Sequence, residues 1–128
     1  MNNIIKIDRA LKQKLSDLAA NTYPCECCAV LFTRDGRAID DFCELTNRSK
    51  NKKSYVIDPL ELYEREKEYC KRGYEITGFF HSHPDAPAVM SKDDEGNAIP
   101  SMLYLLASVT KDGCEGMRLW RLDKAKKA

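Results

Sequence analysis

The sequence predicts a single α/β domain, a mixed β-sheet flanked by helices, on three observations. Its 128 residues suit one hydrophobic core and not two. Apolar runs of strand length alternate with segments of helical periodicity, an order that gives an α/β or α+β sandwich. Turn residues such as Asp35-Gly36 and Lys111-Asp112-Gly113 separate the runs.

In chain order, Asp8 reads as an N-cap, and Leu11, Leu15, Leu18 and Ala19 recur at helical spacing up to about Asn21. Tyr23-Pro24 ends that helix. Cys27 to Phe32 is apolar and reads as a buried strand, and Asp35-Gly36 turns the chain into a second strand, Arg37 to Cys43. Asn47 to Lys53 is a polar, basic loop, and Ser54 to Ile57 is a short strand. Asp58-Pro59 starts a second helix, with Asp as cap and Pro at the first helical position, and Gly73 ends it. Glu75 to His81 is a strand, Pro84 to Met90 a loop, and Ser91 opens a short helix. Leu103 to Val109 and Gly116 to Leu122 are the last strands, and Lys124 to Ala128 is a frayed basic tail.

Composition narrows the class of function. Hydrophobic content of 43% and charged content of 32% are ordinary for a globular protein. A formal net charge of +1 supplies no field for nucleic acid or an acidic membrane. No apolar run approaches the ~18 residues of a membrane span, and the N-terminus lacks the apolar core of a secretion signal. A cytoplasmic location is expected. The six cysteines are therefore expected to be mostly buried small hydrophobes or inert thiols. Cys25 and Cys28 form a Cys-x-x-Cys, but no second pair completes a four-sulfur site.

The chemistry concentrates in His81-Ser82-His83-Pro84 and Ser91-Lys92-Asp93-Asp94. His81 and His83 are the two histidines of the chain, and one residue separates them on a strand, so both imidazoles share a face. They can take two corners of a zinc tetrahedron. A nearby carboxylate gives a third ligand and leaves the fourth position for water, the open coordination of a catalytic site. Ser91 and Asp94 lie on one side of a helical turn, whereas Asp93 points about 100° away, so Asp94 is the better ligand. Ser91 then sits beside the metal, able to donate its hydroxyl to an oxyanion. Ser91 as N-cap, with Asp94 in the first turn, is a compatible second reading.

His-x-His, seven residues, Ser, two residues, Asp resembles the signature of the JAMM (MPN-plus) zinc metalloproteases at every position. In that family a glutamate follows a proline by two residues between the first helix and first strand, and Glu26 stands there after Pro24. The resemblance implies that Glu26 is the general base, taking a proton from water and passing it to the leaving amine. Asn47, Tyr55 to Pro59, Gly78 to His81 and Arg118 to Arg121 also match, while Ala29 stands where relatives usually have glycine. The family's three-layer sandwich, shared in outline with cytidine deaminases, would span residues 1–123. One Zn²⁺ per chain is implied, on His81, His83 and Asp94.

Family members cleave peptide or isopeptide bonds after the Gly-Gly tail of ubiquitin or ubiquitin-like proteins. The short loop from Asn47 to Ser54 resembles the compact prokaryotic branch, which acts on small ubiquitin-like sulfur carriers. The expected reaction is hydrolysis of the amide between a carrier's terminal glycine and an attached amino acid, such as cysteine, or a similar group. Arg48, Lys50, Lys52 and Lys53 form a basic loop that either meets substrate or is merely solvated. Three other readings stand beside this one: an isopeptidase acting on lysine side chains, a noncatalytic scaffold, and a Cys/His thiol protease. The last leaves one histidine and Asp94 without a role.

Overall fold

The computed structural model describes residues 6–52 and 54–121. Its elements are β1 (Lys6–Ile7), α1 (Arg9–Thr22), β2 (Cys28–Thr33), β3 (Ala38–Ile39), β4 (Asp41–Leu45), α2 (Pro59–Cys70), β5 (Glu75–Pro84), α3 (Lys92–Asn97), β6 (Leu103–Thr110) and β7 (Gly113–Arg121). Five strands form one mixed sheet in the order β4-β2-β5-β6-β7, in which only β5 and β6 run parallel. This is the expected α/β architecture. β1 and β3 form a separate parallel pair.

Side-chain alternation divides the core into two layers. On one face Leu11, Leu15 and Ala19 of α1 pack against Ala29, Leu31, Phe80 and Leu105. On the other, Leu62 and Tyr69 of α2 lie against Cys28, Val30, Phe32, Phe79 and Leu106. β2 is buried along its whole length because helices cover both of its faces, which is why its sequence is continuously apolar.

Asp8 occupies the N-cap position of α1, although its side chain makes no capping hydrogen bond. Asp58 does cap α2, accepting from the Leu60 amide at 3.0 Å. After α2, Gly73 adopts φ +89°, the left-handed conformation expected where a helix stops.

Two expectations are corrected, and one short strand is added. The strand expected over Arg37 to Cys43 is two strands broken at Asp40, whose carboxylate turns back to accept from the Arg34 amide at 2.7 Å. Ala38–Ile39 pairs with Lys6–Ile7, a strand too short to leave a periodic signal. Ser54 to Ile57 joins no strand ladder, because side chains hold it in place: Asn47 Oδ1 accepts from the Val56 amide, and Asn47 Nδ2 donates to the Ser54 carbonyl. The remaining boundaries move slightly; β5 runs past His81 to Pro84, and β7 begins at Gly113. The 124–128 tail lies outside the described residues.

Gly78 is required where β5 meets β6. A Cβ there would lie 2.2 Å from the Leu103 carbonyl oxygen, a backbone atom that cannot move unless the strands part. Gly78→Ala should therefore destabilise the fold by more than the ~1–3 kcal/mol typical of overpacking. Denaturant unfolding measures this, and a loss below ~0.5 kcal/mol would show that the two strands are not in this register.

Candidate metal centre

The site forms where β5 ends. Its odd-numbered residues Phe79, His81 and His83 face the α2 layer, while Phe80 and Ser82 face α1. Ser82 Oγ accepts from the Cys27 amide at 2.9 Å, and the Ser82 amide donates to the Cys27 carbonyl at 3.2 Å. These bonds fasten the end of β5 to the segment that enters β2. His81 and His83 are both buried, so their positions are set by packing.

His81 Nε2 and His83 Nε2 lie 3.1 Å apart, and Asp94 Oδ2 stands 3.3 Å from the first and 3.0 Å from the second. Bonds of ~2.0 Å to a tetrahedral metal place its ligand atoms about 3.3 Å apart. The three atoms thus form a triangle of the size of one face of such a site. Among the described residues this is the one group of His, Cys, Asp or Glu side chains arranged to hold a metal.

The surroundings of His83 and Asp94 agree with that role, while His81 is held by stacking and lacks a partner on its outer nitrogen. His83 Nδ1 lies 2.9 Å from the Pro87 carbonyl, which can only accept, so the proton sits on Nδ1 and the Nε2 lone pair faces the triangle. Burial pulls the His83 pKa down, but hydrogen bonds to Asp94 and Pro87 outweigh it and raise the value. His81 is stacked against Tyr55, with centroids 4.5 Å apart, and burial lowers its pKa. Its Nδ1 is buried with no hydrogen-bond partner. Without a metal, the carboxylate oxygen can accept a proton from a facing nitrogen; a cation bound there would displace it, which would couple metal uptake to proton release.

Asp94 is placed by the first turn of α3. Ser91 Oγ accepts from the Asp94 amide, and Asp94 Oδ2 accepts from the Ser91 amide, each at 3.0 Å. This capping box aims Oδ2 at the histidines, so the cap and ligand readings of this turn coexist. Burial would raise the Asp94 pKa, yet hydrogen bonds from His81, His83 and the Ser91 amide hold it well below the usual carboxylate range.

Glu26 is also brought in. Cys28 pairs with His81 in the β2–β5 ladder, and extending that register by two residues sets Glu26 opposite His83. Its side chain is buried, and its backbone carbonyl accepts from Asn47 Nδ2 at 2.9 Å. Burial pushes its carboxyl up to about 7, with His83 pulling it down and Asp94 pushing it up. A cleft of about 350 Å³ opens beside Glu26, lined also by Asn47, Lys50 and Lys52. A second, of about 590 Å³, runs between residues 54–57 and α3, with Ser91 and Asp94 in its wall. Asp93 lines this cleft but is no part of the triangle.

The cysteines divide into three pairs by exposure. Cys27 and Cys28 are buried, Cys43 and Cys114 half-buried, and Cys25 and Cys70 exposed. Burial pushes Cys27 up to about 11 and Cys28 to about 12, the reverse of an activated thiol. Cys25 and Cys28, one exposed and one in the core, are not arranged as a metal site. A small alkylating reagent should label Cys25 and Cys70 first and leave Cys27 and Cys28 protected in the folded protein. Peptide mass spectrometry checks this, and equal labelling of all six would contradict the burial.

The stacking of Tyr55 on His81 and the orientation of His83 by the Pro87 carbonyl were not legible in the sequence. Both depend on loops meeting the sheet, and neither loop carries a periodic pattern.

A family model for prokaryotic homologues of the JAB domain matches residues 8–123. The chain is 30% identical over 109 residues to a desampylase of Haloferax volcanii, covering 83% of this chain and 77% of that protein. A solution structure of a Desulfitobacterium hafniense protein superposes with a TM-score of 0.74 at 26% identity, covering 94% of this chain and 92% of the other. A JAB1/MPN domain protein of Archaeoglobus fulgidus superposes with a TM-score of 0.63 at 17% identity, over 94% and 90% of the two chains, a likeness of fold. With 116 consecutive residues under one family model, and a His-His-Asp triangle where the family signature falls, this chain belongs to the prokaryotic JAB (JAMM/MPN) family.

Proposed function

We propose that this protein is a zinc metallopeptidase that hydrolyses the peptide or isopeptide bond after the C-terminal Gly-Gly of a small ubiquitin-like carrier, releasing an attached amino acid such as cysteine or a similar group. The observation that carries this reading is the triangle of His81 Nε2, His83 Nε2 and Asp94 Oδ2, with sides of 3.1, 3.3 and 3.0 Å. Two nitrogens and one oxygen suit Zn²⁺, and three protein ligands leave a position open. Zinc held there would supply a Lewis acid that activates water and polarises the scissile carbonyl. Glu26, opposite His83, accepts the proton of the attacking water and delivers it to the leaving amine. The Ser91 hydroxyl accepts from the Asp94 amide and keeps its own proton to donate to the oxyanion.

The second cleft supports the substrate class. Residues 54–57 are extended without a strand partner along one wall, so a tail in β conformation can lie beside them. With Tyr55 and Asp94 in the cleft wall, a tail of glycines would pass more easily than one with larger side chains, a selection by exclusion. Val56, Leu60, Tyr63 and Ile99 are large apolar residues left exposed, a surface that suits a folded carrier.

The test compares kcat/KM on carrier–amino-acid adducts, on the same adducts with the last glycine replaced by valine, and on linkage-defined diubiquitins. Adduct cleavage should be efficient, and the valine change should cost far more than changing the released amino acid. Efficient cleavage of one diubiquitin linkage, with no activity on any adduct, would replace this reading with a deconjugating isopeptidase. Stoichiometric zinc without hydrolysis of either class would leave a noncatalytic scaffold.

A further inference from the structure

The loop between β5 and α3 is held by donors on three adjacent strands. Ser108 Oγ on β6 donates to the Ala86 carbonyl at 2.7 Å, His83 Nδ1 on β5 pairs with the Pro87 carbonyl at 2.9 Å, and Trp120 Nε1 on β7 donates to the Ala88 carbonyl at 3.0 Å. Three consecutive carbonyls thus meet side chains on β6, β5 and β7 in turn. The start of the loop is fixed as well. The Asp85 amide donates to the Val109 carbonyl at 2.7 Å, and Asp85, at φ +56°, accepts the Tyr23 hydroxyl on both carboxylate oxygens at 3.0 and 2.8 Å.

The sheet register puts the three donors on one face. His83 and Ser108 are Cα partners across the parallel β5–β6 pair, while Trp120, the partner of Tyr104 across β6–β7, stands further along the sheet and reaches Ala88 with its long side chain. The loop folds over the face that carries His83, with Ala88 and Met90 buried in the α2-side core. Prolines at 84 and 87 remove two amide donors from this stretch, so side-chain donors supplement the few backbone bonds left, among them the Val89 amide donating to the Pro87 carbonyl at 2.8 Å.

The geometry points to Ser108 and Trp120 as positioning residues for the metal: by holding the carbonyls on either side of Pro87, they fix the Pro87 carbonyl that sets the tautomer and ring angle of His83. Neither side chain is part of the His81–His83–Asp94 triangle. Their effect passes through one backbone oxygen to one imidazole nitrogen. Losing the contact on the ligand itself typically weakens metal binding 10–100-fold, and a residue that holds that contact in place has a smaller share of the effect. Ser108→Ala removes one donor, and Trp120→Phe removes the other while keeping a ring in the core.

This inference rests on the reading of the triangle as a metal site, and the experiment separates the two. Zinc affinity of the full chain is measured by competition with a chromophoric chelator, alongside the thermal stability of the metal-free protein and the visible spectrum of the Co²⁺ form. Ser108→Ala and Trp120→Phe should each weaken zinc binding about three- to tenfold and change the Co²⁺ bands. Ser108→Thr, which keeps the hydroxyl, should bind as the unaltered protein does. Because Trp120 is the one tryptophan, its emission should also shift in Ser108→Ala if the clamp acts as a unit. Zinc affinity within twofold of the unaltered protein in both variants, with only thermal stability reduced, assigns these residues a structural role and overturns the inference. Unaltered zinc binding in a His81→Ala, His83→Ala protein would instead remove the reading on which it rests.

Discussion

Replacing His81 and His83 together by Ala should leave the protein without zinc and without turnover. Two of the three ligand atoms disappear, and one carboxylate oxygen cannot retain the ion against water. Metal analysis of protein purified without chelator should fall from near one zinc per chain to background. In the unaltered protein a chelator should abolish activity and added zinc should restore it, which a thiolate nucleophile would not require. Stability gives an independent readout. Zinc at a hundred times its Kd stabilises the folded state by about 2.7 kcal/mol, so the melting temperature of the unaltered protein should rise with zinc and that of the variant should not. His81 is fully buried against Tyr55, so its truncation also leaves a cavity. His83→Gln, closer in size, guards against mistaking misfolding for loss of ligand. Full zinc occupancy in the double variant would falsify the assignment.

The parts of this site legible in the sequence are those set by local geometry. The i, i+2 spacing of His81 and His83 and the i, i+3 spacing of Ser91 and Asp94 follow from strand and helix periodicity, and the structure holds both pairs as that periodicity dictates. Glu26 lies 55 residues before His81, so spacing could not link them; the link came from the family resemblance, and the β2–β5 register then accounts for it. What stayed hidden was long-range and carried by backbone. The Pro87 carbonyl on His83 has no residue-type signature, since every residue has a carbonyl. The same limit explains the elements that were misread. Ser54 to Ile57 has strand composition, but Asn47 bonds it where a neighbouring strand would, and the β1–β3 pair is only two residues long. The core helices and central strands, which depend on apolar periodicity, stand close to where the pattern places them.

Glu26→Gln should keep the zinc and the fold yet lower kcat by ~10²–10⁴, because an amide cannot take a proton from water. The same change should have the opposite sign on stability, and that separates a catalytic carboxylate from a structural one. In the metal-free protein, burial raises the Glu26 carboxyl from 4.5 to about 7. A group whose folded pKa lies above its unfolded value favours folding most below the unfolded value, and that benefit is lost as pH rises through the folded one. Between pH 4.5 and pH 7 the unaltered protein therefore comes to carry the cost of a buried carboxylate, up to ~3 kcal/mol. Glutamine fills nearly the same space and does not ionise. Metal-free Glu26→Gln should match the unaltered protein near pH 4.5 and exceed its stability increasingly up to pH 7–8, with the gain reduced by what His83 loses when the Glu26 charge beside it is gone. Denaturant unfolding at several pH values, set beside single-turnover kinetics of the zinc forms, gives both signs from one pair of proteins. A surface glutamate would move neither quantity, and a structural one held by hydrogen bonds would lose stability on substitution. Undiminished turnover in the zinc-loaded variant would move the base elsewhere, with Glu95 in the first turn of α3 the next carboxylate to test.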